Sequence, residues 1–190
     1  VYRGSYRDAL AEVRYRISNA VKTRLISDVP VGAFLSGGID SSNLVFSFKE
    51  NCIDLETFSI GFEDQEKNEA HFAKEVSSRL NTNHNEKILT EKDCTNIIPE
   101  IIKYYDEPFS DPSQIPTFLL SGFARKKVKV AISGDGADEL FGGYPRYLNI
   151  SSFWKRIEKI PSPILNNLKG LADFFSSGNY KMFRSIGKKI

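Results

Sequence analysis

The sequence predicts an α/β domain, a parallel sheet flanked by helices. Two observations carry that reading. Short apolar or β-branched runs alternate with longer stretches of helical periodicity along most of the chain. Two of the runs, Val29–Leu35 and Val128–Ile132, lead through a glycine turn bearing hydroxyls and carboxylates into a helix start. That alternation implies right-handed crossovers, and in such sheets ligands bind at the carboxyl ends of the strands.

In chain order, Ser5 can cap a first helix running to about Ile26, with Leu10, Val13, Ile17, Val21 and Leu25 at helical spacing. Val29–Leu35 reads as a buried strand, and Ser41 to Glu50 as a helix with Leu44, Val45 and Phe48 on one face. Leu55–Phe62 is a second strand, followed by an acidic loop from Glu63 to Asn68. Glu69 to Leu80 forms a helix that buries Phe72, Ala73, Val76 and Leu80. Asn81 to Asn85 is turn-rich and leads to a short strand, Glu86–Leu89. Thr90 to Asp93 resembles a capping box and opens a helix carrying Ile97, Ile98, Ile101, Ile102 and Tyr105, with a kink expected at Pro99. Three prolines make Asp106–Pro116 a stiff, irregular loop. Thr117 to Lys127 is helical, with Arg125, Lys126 and Lys127 at the end that suits the helix dipole, and Val128–Ile132 is the last strand.

At 190 residues the chain has one domain's length and an ordinary apolar fraction. No apolar run has the length of a membrane span and no signal peptide is visible, so no membrane partner is expected. The chain opens in charged, helix-like text without an initiator Met, which reads as a piece of a longer protein. Cys52 and Cys94 have no metal-type spacing, so a reduced, cytoplasmic setting is the expectation. His71 and His84 stand alone and read as surface or packing residues. Residues 1–150 hold 18 Lys/Arg against 22 Asp/Glu, a net of −4; residues 151–190 hold 8 against 2, a net of +6. The basic stretch reads as the solvated face of a helix, and no nucleic-acid partner is expected. On this division, residues 1–150 form the domain core and 151–190 a basic helical continuation of the same domain.

The first motif is Ser36-Gly37-Gly38-Ile39-Asp40-Ser41-Ser42. Its glycines let successive N–H groups face one concavity, and the helix start behind them favours an anion. Ser36, Ser41 and Ser42 can add hydroxyl donors. Asp40 repels a bare phosphate, so it fits there chiefly with Mg²⁺ between them. The plain alternative is a Gly-Gly turn capped by serines, with Asp40 stabilising the helix start. The loop lacks the lysine and spacing of a Walker-type loop. It resembles the pyrophosphate-binding loop of the ATP-pyrophosphatases, which cleave ATP between the α- and β-phosphates.

The second motif is Ser133-Gly134-Asp135-Gly136-Ala137-Asp138-Glu139-Leu140-Phe141-Gly142-Gly143-Tyr144. Asp135, Asp138 and Glu139 have the spacing to share one helical face, where like charges repel and call for a cation or a base. Asp138 is the natural partner of Asp40 in holding one metal. The plain alternative is that acids simply suit a helix's first turn.

This second string resembles a signature of the glutamine-hydrolysing asparagine synthetase family, and Asp106-Glu107-Pro108-Phe109 with Ser113-Gln114-Ile115-Pro116-Thr117 is similar to its bacterial branch. The resemblance covers Ser5 to about Tyr147. It implies an adenine nucleotide alpha hydrolase-like three-layer sandwich and the cofactors ATP and Mg²⁺. Leu35 and Ile60 would border the adenine, Ser36 to Ser42 (Ser36, Gly37, Gly38, Asp40, Ser41 and Ser42) would hold the pyrophosphate, and Ser133 and Gly134 would contact AMP. Asp40 and Asp138 would share the metal. Asp135 stands where many members have Glu, a residue important for forming the acyl-adenylate.

The resemblance further implies that a substrate carboxylate, aspartate by family precedent, attacks the α-phosphorus of MgATP. Ammonia from glutamine, delivered by an N-terminal glutaminase domain not present in this sequence, then displaces AMP to leave an amide. The family's later catalytic lysine is not assigned to Lys181, Lys188 or Lys189, and the domain reads as incomplete at its C-terminus. Bacterial relatives also amidate other carboxylates, including glycan uronic acids. A tRNA-acting ATP-pyrophosphatase and a non-catalytic nucleotide-binding module are the rival readings.

Overall fold

The computed structural model describes residues 2–51, 54–64, 68–107, 111–147, 149–150 and 153. Ten elements follow in order: α1 (Tyr6–Leu25), β1 (Val31–Phe34), α2 (Ile39–Lys49), β2 (Glu56–Phe62), α3 (Ala70–Leu80), β3 (Asn83–Leu89), α4 (Glu91–Ile101), α5 (Gln114–Ala124), β4 (Val130–Ile132) and α6 (Ala137–Phe141). The chain divides into two units, Val1–Asp135 and Gly136–Ile190. Described residues of the second unit form α6 and a short helical stretch after it. The basic continuation expected over 151–190 lies, Phe153 apart, outside the described residues, as do Cys52 and the three later lysines.

In the first unit the four strands are all parallel, in the order β3-β2-β1-β4. The chain therefore steps outward from β1 through β2 to β3, then returns to lay β4 on the other side of β1. Helices cover both faces, which gives the three layers expected. On one face Val21 of α1, Val45 and Phe48 of α2 and Ala73 of α3 pack on Ala33, Leu35 and Leu55. On the other, Ala124, Leu120 and Phe123 of α5, with Val128, pack on Phe34 and Phe58. Phe58 meets Phe123 edge-on at 5.9 Å between ring centres. Phe48 and Phe58 are fully buried, and each stabilises the fold by about 1.5–3 kcal/mol.

Local chemistry sets the boundaries. Ser5 and Asp8 form a complete capping box at α1, and Thr90 and Asp93 form another at α4. β3 begins at Asn83, three residues before the strand expected from sequence. Its polar opening residues look like a turn, but parallel pairing with β2 from Glu56↔Asn83 onward overrides that preference. Asn81 supplies the turn instead, in the left-handed conformation at φ 50°. α4 encloses Pro99 and ends at Ile101.

Gln114, Ile115 and Pro116, expected in the irregular loop, are the first turn of α5. Proline is tolerated there because first-turn amides have no intrahelical acceptor. α5 ends at Ala124, so Arg125–Lys127 follow the helix rather than close it. Phe72, expected on the buried side of α3, is 49% exposed; Ala73 is buried as expected, and Ala70 and Ser77 are buried with it.

Candidate functional site

The order β3-β2-β1-β4 reverses direction at β1, and such a reversal opens a crevice beyond the carboxyl ends of the strands on either side. Those strands are β1 and β4. The two glycine motifs leave them at that point, so the topology brings Ser36–Ser42 and Ser133–Asp135 together. A β-carbon built on Gly134 would lie 3.1 Å from the Ser41 amide nitrogen and 3.3 Å from Asp40 Cβ. Such separations are tighter than ordinary contact, so Gly134 is glycine because the first loop passes directly over it.

The first loop is shaped by its two glycines for different reasons. Gly37 has φ +82°, and a β-carbon on it would stand 2.5 Å from both Phe72 Cβ and the Ala73 amide nitrogen. Backbone angle and the start of α3 both demand glycine there. Gly38 has φ −67°, which any residue adopts, and its absent β-carbon would meet only Ser36 Oγ, at 3.3 Å. The fold alone does not require glycine at Gly38.

Gly38 is the N-cap of α2, which starts at Ile39, and no side chain caps that end. Of the plain alternative, the serine cap is not seen, whereas Asp40 does stand in the first turn of α2, where it suits the helix dipole. The serines bond to each other and to the loop. Ser41 Oγ accepts from the Ser36 amide at 3.2 Å, lies 2.9 Å from Ser36 Oγ and donates to the Gly38 carbonyl at 3.3 Å. The Gly38 amide donates to Ser36 Oγ at 3.3 Å. Ser42 Oγ is buried with no hydrogen-bond partner among the described residues. Asp40 is exposed, and its carboxylate makes no ion pair or hydrogen bond among the described residues.

Leu35 is buried, and its amide continues the β1–β2 ladder by donating to the Phe58 carbonyl at 2.9 Å. Ile60 lies two residues short of the end of β2, because β2 outruns β1 along β3. Ser133 and Asp135 close a small turn after β4. Ser133 Oγ donates to Asp135 Oδ2 at 2.8 Å, and the Asp135 amide donates back to Ser133 Oγ at 3.4 Å.

Asp135 does not share a helical face with Asp138 and Glu139, contrary to the expectation from spacing. Gly136, at φ 90°, breaks the backbone before α6 begins. Within the second unit, α6 stops at Gly142 in the left-handed conformation, which glycine adopts without strain. Tyr144 donates its hydroxyl to Glu139 Oε1 at 2.8 Å, and that bond holds its phenol above the ordinary value. A β-carbon on Gly143 would collide with Asp138 Oδ1. Among the described residues no cluster of three metal-ligating side chains occurs.

His84, read from sequence as a surface or packing residue, has partners on β2 that the sequence did not indicate. His84 Nδ1 lies 3.0 Å from Thr57 Oγ1 and Nε2 lies 3.2 Å from Ser59 Oγ, while Thr57 Oγ1 is 2.8 Å from Thr82 Oγ1. His84 is thus a packing residue that ties β3 to β2, and burial pushes its imidazole below the ordinary value. Alternating Thr57 and Ser59 in an apolar strand was the available signal. His71 is exposed beside Phe72, and Cys94 is a free thiol. No helix among the described residues is long and apolar enough to cross a membrane.

Comparison with known proteins bears on these motifs. A family model described as "Asparagine synthase" matches residues 12–187, well past the last motif. The chain is 43% identical over 167 residues to "Asparagine synthetase [glutamine-hydrolyzing] 1" of Bacillus subtilis, covering 88% of this chain and 26% of that protein. It is 41% identical over 176 residues to "Putative asparagine synthetase [glutamine-hydrolyzing] 2" of Methanocaldococcus jannaschii, covering 87% of this chain and 34% of that protein. The chain thus spans about a quarter to a third of the length of these relatives. Among solved structures, the NH3-dependent NAD synthetase from Campylobacter jejuni aligns over 92% of this chain and 87% of that one, at 18% identity and a TM-score of 0.48.

Proposed function

Because the chain belongs to the asparagine synthase family, we propose that it is the ATP-using part of an amide-forming ligase. The reading has a substrate carboxylate, aspartate by family precedent, displace pyrophosphate from the α-phosphorus of ATP. Ammonia then displaces AMP from the acyl carbon, leaving asparagine. Glutamine, hydrolysed in another part of the whole protein, is the proposed ammonia source.

The observation that supports it most is the contact of Gly134 with Asp40 and Ser41 at the switch point. Two motifs about a hundred residues apart in sequence leave neighbouring strands there, and the helix start behind the first is uncapped. Its first-turn amides are available to an anion. Gly38, glycine without a folding reason, fits a phosphate approaching the backbone closely. In this reading Ser36, Gly37, Gly38, Ser41 and Ser42 belong to the pyrophosphate cradle, Leu35 and Ile60 border the adenine, and Ser133 and Gly134 meet AMP. Asp135 acts at the adenylate-forming centre.

The donor chemistry fits Mg²⁺ at Asp40. An unpaired carboxylate beside an anion cradle repels the phosphates unless a cation intervenes, and Mg²⁺ with nucleotides takes one or two carboxylates and completes its shell with phosphate oxygens and water. Asp138 is proposed as a second ligand on the motif alone. When bound, the ion neutralises charge on the phosphates. The chain's own part is positional: amides orient the phosphates, and the crevice sets the carboxylate in line with them.

The test is pyrophosphate release by the full-length protein with MgATP, a panel of carboxylic acids including aspartate and uronic acids, and either glutamine or ammonium. Aspartate-dependent pyrophosphate and AMP, with asparagine formed, are expected. Release with no carboxylate in the panel would overturn the synthetase reading.

A further inference from the structure

Two glycines, one after β1 and one near the end of β2, clear space for the same turn of helix. A β-carbon on Gly37, in the first loop, would stand 2.5 Å from Phe72 Cβ and from the Ala73 amide nitrogen. One on Gly61, the last residue but one of β2, would stand 2.6 Å from Asn68 Oδ1 and 2.9 Å from Ala70 Cβ. The start of α3 is thus seated against the first loop on one side and against β2 on the other, with Ala70 and Ala73 buried between them. Glu69, the N-cap of α3, makes no side-chain cap. Asn68, one residue earlier, supplies the missing acceptor. Its Oδ1 accepts from the Ala70 amide at 3.1 Å, and its carbonyl accepts from His71 Nδ1 at 3.1 Å. One side chain therefore both caps this turn and presses it on β2.

We propose that Asn68 is a positioning residue for the phosphates of ATP: it seats the first turn of α3 on β2, and that turn is the wall against which Gly37 sets the first loop. The proposal rests on the ATP-binding reading of that loop and deepens it. A loop backed by a fixed wall binds without first ordering itself, whereas a frayed start of α3 leaves that ordering to be done on binding. The pyrophosphate part of ATP is what the first loop is proposed to hold. The effect of Asn68 therefore falls on that part and spares AMP, assigned to Leu35, Ile60, Ser133 and Gly134.

The full-length protein is made as Asn68→Ala and Asn68→Ser. Kd is measured for MgATP directly and for AMP by competition, alongside thermal melting. Alanine leaves the Ala70 amide without its acceptor, while serine keeps a neutral oxygen in reach of it. Asn68→Ala should weaken MgATP about fivefold, the effect typical of one hydrogen bond, with AMP affinity within about twofold of the parent. Asn68→Ser should recover most of that loss.

Equal losses for MgATP and AMP in Asn68→Ala, or failure of that variant to fold, would show that Asn68 supports the domain as a whole, and overturn the proposal. Parental MgATP affinity in Asn68→Ala overturns it too, as does a folded serine variant that binds MgATP no better than the alanine one. Failure of the parent protein to bind MgATP or AMP overturns the nucleotide reading instead, and is distinguished by that control.

Discussion

Gly134 lies against Asp40, so closely that a β-carbon on the glycine would stand 3.3 Å from Asp40 Cβ and 3.1 Å from the next amide nitrogen. A side chain at Gly134 requires the first loop to give way. Gly134→Ala should therefore push the loops apart by a few tenths of an ångström. We expect a stability loss of about 1–3 kcal/mol, typical of overpacking, and a weakened MgATP affinity. Thermal melting together with nucleotide titration checks both. An alanine variant with parental melting and parental affinity would show that the loops move freely past one another.

Gly37 and Gly38 should separate folding from binding. Gly37→Ala meets both a left-handed backbone and the start of α3, and should destabilise by about 1–3 kcal/mol through the backbone conformation alone. Gly38→Ala meets neither obstacle and should cost at most about 1 kcal/mol, the usual cap preference. Its MgATP affinity should nevertheless fall about tenfold, because the methyl group intrudes on the cradle. Unchanged affinity in Gly38→Ala would remove the cradle assignment.

Asp40→Asn changes an exposed carboxylate with no protein partner among the described residues, so its stability should stay within about 0.5 kcal/mol of the parent. Turnover of the full-length enzyme should fall steeply and require more Mg²⁺. Asp138→Asn should show the same shift in metal dependence. Titrating activity against free Mg²⁺ is the measurement, and parental curves for both variants would end the metal assignment.

His84 makes the β2–β3 pairing sensitive to acid. Burial is the main cause of its lowered affinity for a proton; Lys74 adds to it and Glu86 opposes it. The folded state therefore binds fewer protons than the unfolded one just below pH 6.5. The associated stability is fully present above the unfolded value of 6.5 and is lost as pH falls through it toward the lower folded value. His84→Gln should flatten the melting profile between about pH 5 and 7 relative to the parent. Identical profiles would show that the imidazole titrates as it does in an unfolded chain.

The parts of the fold that were legible in sequence are those decided locally. Ser5 announces the start of α1, and Thr90 with Asp93 announces that of α4. The parts that were not legible depend on a neighbour. Asn83, His84 and Asn85 look like a turn until β2 pairs with them, and Pro116 looks like a loop residue until its place in a helix's first turn is seen.

At the site, both motifs were visible as strings and were expected to meet through a metal shared by Asp40 and Asp138; the packing of Gly134 against the first loop was not visible. It follows from β4 lying beside β1, which no local pattern encodes. Hydroxyls beside glycines suit phosphate, which is what the sequence shows of these serines. Only the fold of the turn shows that Ser36 and Ser41 reach each other.

The strand order also fixes when this unit can finish folding. β1 pairs with β2 soon after it, but its other edge waits for β4, with Val31 opposite Val130. On a chain leaving the ribosome, that edge stays open while about a hundred residues are added. Open strand edges invite pairing with other chains, and distant pairings form slowly because loop closure precedes their reward. Ser133 and Gly134 follow directly from the strand that closes the gap. Pairing of β4 with β1 and assembly of the crevice are therefore one late step in the maturation of this unit, and until it occurs that edge of β1 is exposed to misassembly.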